Sequence, residues 1–418
     1  MKQGWEIKKL SEIGKVFNGN SINEKVKKDK YTNLDNGLPF IATKDVGFDS
    51  SIDYENGVRI LFNEINQFKI APSNTPLICA EGGSAGRKIG FTNQDVCFGN
   101  KLFAFVPNKN LESKYIFYYY FTSSFQKHFS TEMAGIIGGV STNKFKDIEI
   151  PLPPLPEQQR IVAILDEVFA AIAKAKANAE QNLKNAKELF ESYLQGVFEN
   201  GKEKWEEKLL DEVCEFRNGA AHERHIDEDG KYILVNSKFI SADGEKFKRT
   251  NSALAPLYVN DIAFVMSDVP NGKALAKCFL VDENDTYTLN QRIGAIKPIA
   301  FVPEFLVYQL NRNKYLLSFN NGENQTNLRK GDILKCPLWV PAKEDQQAIV
   351  RQLDALRAET QKLEAVYQKK VADLEELKKS ILQKAFAGEL RSPEGAEYTN
   401  DVATPIAKKK TITSPERA

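Results

Sequence analysis

From Ile161 the apolar positions fall at Ile161, Leu165, Val168, Ile172, Ala175 and Ala179, then at Ala186, Phe190, Tyr193 and Val197. A second run has the same rhythm, at Ile349, Leu353, Leu356, Leu363, Tyr367, Leu374, Leu377 and Ile381. Steps of four and three form the seam of a coiled coil, and they predict two helices of about 40 residues, roughly 60 Å long at 1.5 Å per residue. Asn182 interrupts the first seam; Thr360 and Lys370 interrupt the second. A helix of that length does not bury its seam alone. The simplest arrangement packs the two copies against each other, antiparallel, about a pseudo-two-fold axis. Homodimerisation through the seam is the alternative. The seam positions Ile161, Leu165, Val168, Ile349, Leu353 and Leu356 are the candidate subunit-interface residues.

Both helices leave a proline ledge. "PLPPLPEQQRIVAILD" (Pro151–Asp166) returns in rough copy as "PLWVPAKEDQQAIVRQLD" (Pro337–Asp354), and the helical copies align without gaps at an offset of 188 that pairs Gln158 with Gln346, Leu194 with Leu382 and Phe198 with Phe386. Proline is tolerated in a first helical turn, and a proline run is a semi-rigid extended spacer. The second ledge keeps Pro337 and Pro341 only. Upstream, "GWEIKKLSEIGKVFNG" (Gly4–Gly19) matches "KWEEKLLDEVCEFRNG" (Lys204–Gly219) at an offset of 200, pairing Trp5 with Trp205 and Gly19 with Gly219. Between these anchors the likeness thins to "FGNKLFAFVP" against "LNQRIGAIKP", and "STNKFKDIEIPL" against "QTNLRKGDILKCPL". An internal repeat governs the whole fold. The chain reads as two α/β (α+β) recognition domains in pseudo-repeated copies, joined by two long α-helices forming an antiparallel coiled coil. The boundaries are 1–150 and 201–340 for the domains, 151–200 and 341–390 for the helical spacers, and 391–418 for a polar, disordered tail. One framework carrying two different contents suits reading two different things.

Composition narrows the partners. Of 418 residues, 57 are Lys or Arg and 56 Asp or Glu, so the net charge of +1 gives no global electrostatic footprint. A nucleic-acid reader of this kind needs locally basic patches, because phosphate contacts supply most non-specific affinity. Five scattered cysteines with no CxxC argue for a reducing compartment and against a cysteine zinc site. The first residues lack the apolar run of a signal peptide, and no segment is apolar enough to cross a membrane, so a cytoplasmic location is expected.

Catalytic patterns fail in turn. No N/D-PP-Y/F tetrapeptide occurs, "GGSAGRKIG" (Gly82–Gly90) misses the phosphate-loop spacing, and "HERH" (His222–His225) is three apart, as a solvated loop would have it. No catalytic centre is expected. The glycine loop still offers Ser84, Arg87, Lys88 and backbone amides to a phosphate, or is an ordinary hairpin. Its counterpart "SDVPNGKALAK" (Ser267–Lys277) offers Asn271 and Lys273. In "LNQRIG", amides and Arg suit bidentate contacts to adenine and guanine. Asn290 is set against Asn100 as a framework amide; Gln291 and Arg292, set against Lys101 and Leu102, are candidates for readout, as is Lys101. Before the ledges lie Asn143 and Lys144, and Asn327, Arg329 and Lys330; a helix cap and a phosphate contact can coexist there. The aromatic "SKYIFYYYFTSSFQKHF" (Ser113–Phe129) reads as helical packing before base stacking.

Together the ledge "IPLPPLPEQQRIVAILD", its drifted copy, the two "W–L–E–NG" openings and "LNQRIGAI" resemble the specificity subunit of a Type I restriction–modification system, up to about Leu390. The resemblance implies that each domain reads one half of a split, asymmetric DNA site. It implies two methyltransferase and two restriction subunits around one copy of this chain. S-adenosylmethionine, ATP and Mg²⁺ would belong to those partners, with no cofactor in this chain. Two other readings stand beside it: a two-headed scaffold for proteins rather than DNA, and a DNA-modifying enzyme with a cryptic site.

If the domains sit at opposite ends of the helical pair, the pair is a ruler. One heptad inserted into both helices, near Ala179 and Tyr367, keeps each seam on its face and adds up to about 10 Å. On B-DNA that is at most about three base-pair steps, with roughly a quarter-turn or more of rotation. Methylome sequencing of the insertion mutant is expected to show a longer unread spacer between unchanged half-sites. An unchanged spacer with full activity excludes the ruler.

Overall fold

In the computed structural model of the chain, which describes residues 3–134, 138–222, 224–268, 273–320 and 326–390, the uninterrupted apolar strings become inner strands. The tail 391–418, expected to be disordered, lies outside the described residues. The chain divides into two units, residues 1–178 with 370–418, and residues 179–369. Each long helix, Leu155–Gly201 and Lys343–Ala387, gives one part of its length to each unit.

In unit 1, one antiparallel sheet runs β2 (Gly14–Asn18), β9 (Leu102–Pro107), β6 (Pro76–Cys79), β7 (Ile89–Phe91). A second runs β4 (Arg59–Ile60), β3 (Leu38–Ile41), β8 (Val96–Phe98), β5 (Ile70–Ala71), with β3 and β8 parallel. All four residues of β6 and the first four of β9 are buried, as runs without polar alternation demand. A ribbon of β1 (Glu6–Lys9) and β10 (Glu149–Leu152) pairs Ile7 with Pro151, so the ledge begins as a strand rather than a free spacer. Pro156 then falls in the first turn of the long helix.

Between sheet and ledge lies a framework helix, Ser113–Tyr119, whose residues from Tyr115 on are all buried, as expected of a helix apolar all round. Packing, not base stacking, is therefore the role of its aromatics. The Tyr115 and Tyr119 hydroxyls donate to the Pro151 and Glu149 carbonyls, both at 2.7 Å. Tyr118 donates to the Asp166 carboxylate, which also holds Lys114 at 2.7 Å. Gln158, 1 % exposed, accepts from the Glu112 amide at 2.9 Å and donates to the Pro153 carbonyl at 2.7 Å. The two helical segments of this unit run antiparallel: Arg160 donates to the Leu390 carbonyl, Lys378 lies over the Phe169 ring, and Lys176 pairs with Glu375. Phe386 closes the core against Tyr115 and Tyr119.

Unit 2 rebuilds this frame. Its sheet runs β12 (Cys214–Asn218), β19 (Ile293–Pro298), β15 (Ile262–Val265), β17 (Cys278–Leu280); a second runs β14 (Lys248–Thr250), β13 (Tyr232–Val235), β18 (Tyr287–Leu289). A ribbon joins β11 (Glu206–Leu209) to β21 (Pro337–Val340), and a short pair joins β16 (Ser267–Asp268) to β20 (Thr326–Asn327). On the framework helix, Pro303–Leu310, Tyr308 donates to Asp354 as Tyr118 does to Asp166. Gln346, 1 % exposed, accepts from the Val302 amide at 2.7 Å and donates to the Pro341 carbonyl at 2.9 Å. Gln309 replaces the tyrosine hydroxyls, exchanging two bonds with the Trp339 backbone. Phe198 packs on Trp205 and Phe305, as Phe386 packs in unit 1. The helical segments are antiparallel here too, with Arg357 over the Phe190 ring and Tyr193 facing Gln352. The buried seam interruption Thr360 bonds back to the Leu356 carbonyl at 3.0 Å, which satisfies its hydroxyl without a partner helix.

This packing corrects the interface expectation. Ile161 and Leu165 are fully buried in the core that contains Tyr115 and Tyr119, and Leu353 is fully buried with Phe190 and Tyr308. Val168, Ile349 and Leu356 are half-buried. At these three positions the seam is spent on the chain's own packing, and Ile161, Leu165 and Leu353 are out of a partner's reach. The five cysteines are free, and burial pushes the Cys97 thiol up to about 11 and those of Cys214 and Cys336 up to about 12, which keeps them protonated.

Gln346→Leu leaves the Val302 amide and the Pro341 carbonyl without partners in a dry site, and Gln158→Leu does the same to Glu112 and Pro153. Each is expected to cost about 2–4 kcal/mol. Hydrogen exchange should show faster exchange at the Val302 and Glu112 amides respectively; unchanged protection would mean that the clamp does not hold the junction.

Candidate nucleic-acid interface

At the ends of β2, β3, β6 and β8 in unit 1 lie Ser84, Arg87, Lys88 and Lys101 of the residues singled out in the sequence. Their loops are joined by backbone bonds. Asn20 donates to the Phe98 carbonyl at 2.8 Å, Gly99 to Ile41 at 2.8 Å, Ala80 to Lys101 at 2.9 Å, and Val140 to Ala80 at 3.0 Å. Gly19 is required, since a Cβ there would stand 1.9 Å from the Phe98 oxygen. Unit 2 has the same wiring: Ala220 to Leu289 at 3.1 Å, Asn290 to Val235 at 3.0 Å, Met266 to Arg292 at 3.1 Å, and Leu328 to Met266 at 2.8 Å. A Cβ at Gly219 would stand 2.0 Å from the Asn290 oxygen.

That wiring corrects the register. Asn290 occupies the place of Gly99, not Asn100. Gln291 and Arg292 therefore stand where Asn100 and Lys101 stand, and all four are exposed. Each unit presents an amide followed by a cation at the same point of its rim. Asn143 and Asn327, brought together by the matching "TN", are likewise not equivalent. Asn143 is exposed in the first turn of the helix Thr142–Lys146, whereas Asn327 is exposed in β20.

In unit 1 Lys101 pairs with Glu81 at 3.3 Å, and Lys144 with Glu132 at 2.9 Å. Exposed pairs of this kind are worth about 0–1 kcal/mol, so a phosphate can displace the carboxylate. Asn100, Glu81, Asn18, Ser141 and Thr142 line an open cleft of about 840 Å³. Ser141 caps its helix by accepting from the Lys144 amide at 3.4 Å, the cap expected there.

The glycine loop is a hairpin turn between β6 and β7. The amides of Gly82, Ala85, Gly86, Arg87 and Lys88 all donate to protein carbonyls, so of the two readings left open for this loop these amides follow the ordinary hairpin. Ser84 is half-buried. Lys88 is half-buried too, donating to the Thr43 carbonyl at 2.9 Å, while Arg87 is exposed. Both lie over the ring of Phe48, at 5.3 and 5.4 Å, and Phe48 is 63 % exposed. In unit 2, Arg329, Lys330 and Lys273 are exposed, with Lys330 5.8 Å from the Phe216 ring; Asn271 lies outside the described residues. The wiring brings Arg292 beside Met266 and, through it, beside Asn327, Arg329 and Lys330. Lys273 is held elsewhere, its carbonyl accepting from Arg312 at 3.2 Å.

His222 is a correction. It is fully buried, with Nδ1 2.8 Å from the Ala220 carbonyl and Nε2 3.2 Å from the Thr288 hydroxyl, so it fastens the end of β12 to β18 rather than lying in solvent. Among the described residues no three His, Cys, Asp or Glu side chains converge as a metal site would need, and no helix is long and apolar enough to cross a membrane. Sequence reasoning missed Phe48 and Phe247, whose signal is a large apolar residue inside a polar turn, "VGFDSS" and "GEKFKR".

A repeated α/β domain, each copy presenting a polar and cationic rim and each followed by a long helix, defines a duplicated nucleic-acid reader. The model of the Type I restriction modification DNA specificity domain matches residues 2–184 and again 202–372. The chain belongs to that family. It is 25 % identical to the Type I restriction enzyme EcoKI specificity subunit of Escherichia coli, over 95 % of this chain and 91 % of that one. To the MjaVIII specificity subunit of Methanocaldococcus jannaschii it is 23 % identical, over 93 % of each. A chain solved in work on complex assembly and conformational transition of the type I R-M system superposes with a TM-score of 0.77 at 17 % identity, over 93 % of this chain and 99 % of that one, which shows a common fold.

Arg292→Ala is expected to relax specificity at one position and weaken binding by about 1–3 kcal/mol, while Lys144→Ala weakens all sequences alike and lowers the salt slope by about one. Competition binding against single-base variants at several salt concentrations separates the two effects. An equal loss across all variants for Arg292→Ala would remove it from direct readout.

Proposed function

We propose that this chain reads a bipartite, asymmetric DNA site, residues 1–150 taking one half and residues 201–340 the other, as the non-catalytic subunit of a Type I restriction–modification complex. The observation that carries this reading is the doubled rim: one backbone wiring presents Asn100 and Lys101 in one unit and Gln291 and Arg292 in the other. The same loop wiring with different side chains is what two readers of different sequences need, since phosphate contacts position and base contacts specify. Chemistry then falls to the partners, two methyltransferase and two restriction subunits per copy of this chain, with S-adenosylmethionine, ATP and Mg²⁺ bound there and the whole acting in the cytoplasm. The helices meet those partners through apolar side chains that the chain's own packing leaves exposed. In unit 2, Leu189, Tyr193, Leu363 and Val366 are 41–59 % exposed on the long helices. Exposed apolar side chains on otherwise charged helices mark a protein contact.

Replacing residues 1–150 with the first domain of another family member is expected to change one half-site and leave the other intact, as read by methylome sequencing of the host. Both half-sites changing together would defeat independent reading. DNA binding that ignored sequence and salt, with the methyltransferase subunit present, would favour a protein scaffold instead.

A further inference from the structure

We infer that Phe48 and Phe247 are aromatic wedges, one in each unit, that press against a base step of the double-stranded half-site. This rests on the DNA-reading role above and adds a contact that backbone wiring and hydrogen-bond readout do not supply. Phe48 is 63 % exposed and Phe247 49 %, although each belongs to a unit with ample apolar core.

Both rings are held rather than trailing. Phe48 sits on a tight turn: Val46 bridges Ile52, the Gly47 amide donates to the Ser51 carbonyl at 2.9 Å, and Asp53 donates to Asp45 at 2.8 Å. A Cβ at Gly47 would stand 2.2 Å from the Asp49 carboxylate, which packs inside the turn. Phe247 precedes β14, whose pairing of Lys248 with Leu234 puts it at the end of β13. The same strand end receives the Asn290 amide, one residue before Gln291. Phe247 therefore lies on the rim of the amide and cation pair of unit 2, and Phe48 is tied to that of unit 1 through Lys88, which lies over its ring and donates to the carbonyl of Thr43, a residue that lines one pocket with Asn100 and Lys101.

Cations accompany both rings. Arg87 and Lys88 lie over Phe48, and the Arg249 guanidinium is 5.2 Å from the Phe247 centroid. A flat apolar surface flanked by positive charge is complementary to a base step flanked by phosphates. Apolar wedges of this kind unstack a step and bend the duplex, and a pre-held ring loses little freedom in doing so. The loop carrying Phe48 also ends in Asp49, but that carboxylate is turned onto the Ser51 hydroxyl and amide.

The test uses the full chain assembled with its methyltransferase subunits, and duplexes carrying the methylated site with 2-aminopurine placed at each position of the first half-site in turn. The wild-type complex is expected to raise fluorescence at one step. Phe48→Ala should abolish that rise and weaken binding roughly ten- to a hundredfold with an unchanged salt slope, while Phe48→Trp should keep the rise. Phe247→Ala should act in the same way on the second half-site only. Wild-type binding and fluorescence in Phe48→Ala overturn the wedge alone, as does a Phe48→Ala chain that no longer joins the methyltransferase subunit, which would make the ring a protein contact. A wild-type complex without sequence-selective binding overturns the DNA-reading role and the wedge together.

Discussion

Everything in each unit hangs on the junction between framework helix and long helix, and that junction is a buried polar clamp. Gln158 and Gln346 each take an amide from the start of the framework helix and give a bond to a proline carbonyl of the ledge. One turn or two further on, Tyr118 meets Asp166 and Tyr308 meets Asp354. Apolar packing alone would let a helix slide along its groove at little cost, because dispersion has no direction. Hydrogen bonds do have one, and an unmade buried bond costs about 1–3 kcal/mol, so a shift of a single turn is heavily penalised. The clamp fixes where the domain sits along its helix segment, which is the property a reader of spaced half-sites requires.

Above the clamp, the rim is built so that its side chains are free to differ. The bonds that join the loops run from backbone to backbone: Ala80 to Lys101 and Val140 to Ala80 in one unit, Met266 to Arg292 and Leu328 to Met266 in the other. None of them depends on what Lys101 or Arg292 carries beyond Cβ. Gly19 and Gly219 are the exception, fixed by an oxygen about where a Cβ would stand. Sequence can drift at the reading positions without loosening the frame, and the thin likeness between the two domains is the expected record of that freedom.

The same division decides what was legible in the sequence. Heptad rhythm, the paired Gln158 and Gln346, and the pairing of Tyr118 with Tyr308 announce the helices and the repeat because packing and clamp tolerate few residue types. Reading positions carry no such constraint. Matching like amides put Asn290 against Asn100, one residue off, because an amide recurs there while the place of Gly99 is set by its backbone bonds, not by its side chain. His222 looked like a solvated loop residue because nothing in "HERH" signals Thr288, 66 residues away, as its partner. The seam was legible as packing within the chain, but not which of its residues stay open to another subunit: periodicity shows which face is apolar, not how deeply the chain's own core covers each position.

A net charge of +1 looks adverse for a protein that holds DNA, and the rim explains how the two are compatible. Lys101 and Lys144 are stored in exposed pairs with Glu81 and Glu132. Each pair contributes too little to stability to resist a phosphate, yet each cancels a charge while no DNA is bound. A phosphate must therefore displace a carboxylate before it gains a cation, which lowers affinity for any duplex that offers nothing else. On the proposed reading, a sequence that also satisfies Asn100 and its neighbours adds the base contacts that make up the difference. In the second unit Arg292 and Lys330 are exposed on a rim of the same wiring, so the balance between holding and reading is set separately in each unit. Weak non-specific binding favours search over trapping, since non-matching sites in a genome outnumber matching ones by orders of magnitude. On that proposal near-neutrality is part of the specificity: the rim carries cations that can engage DNA, but pairs them so that the sequence decides the outcome.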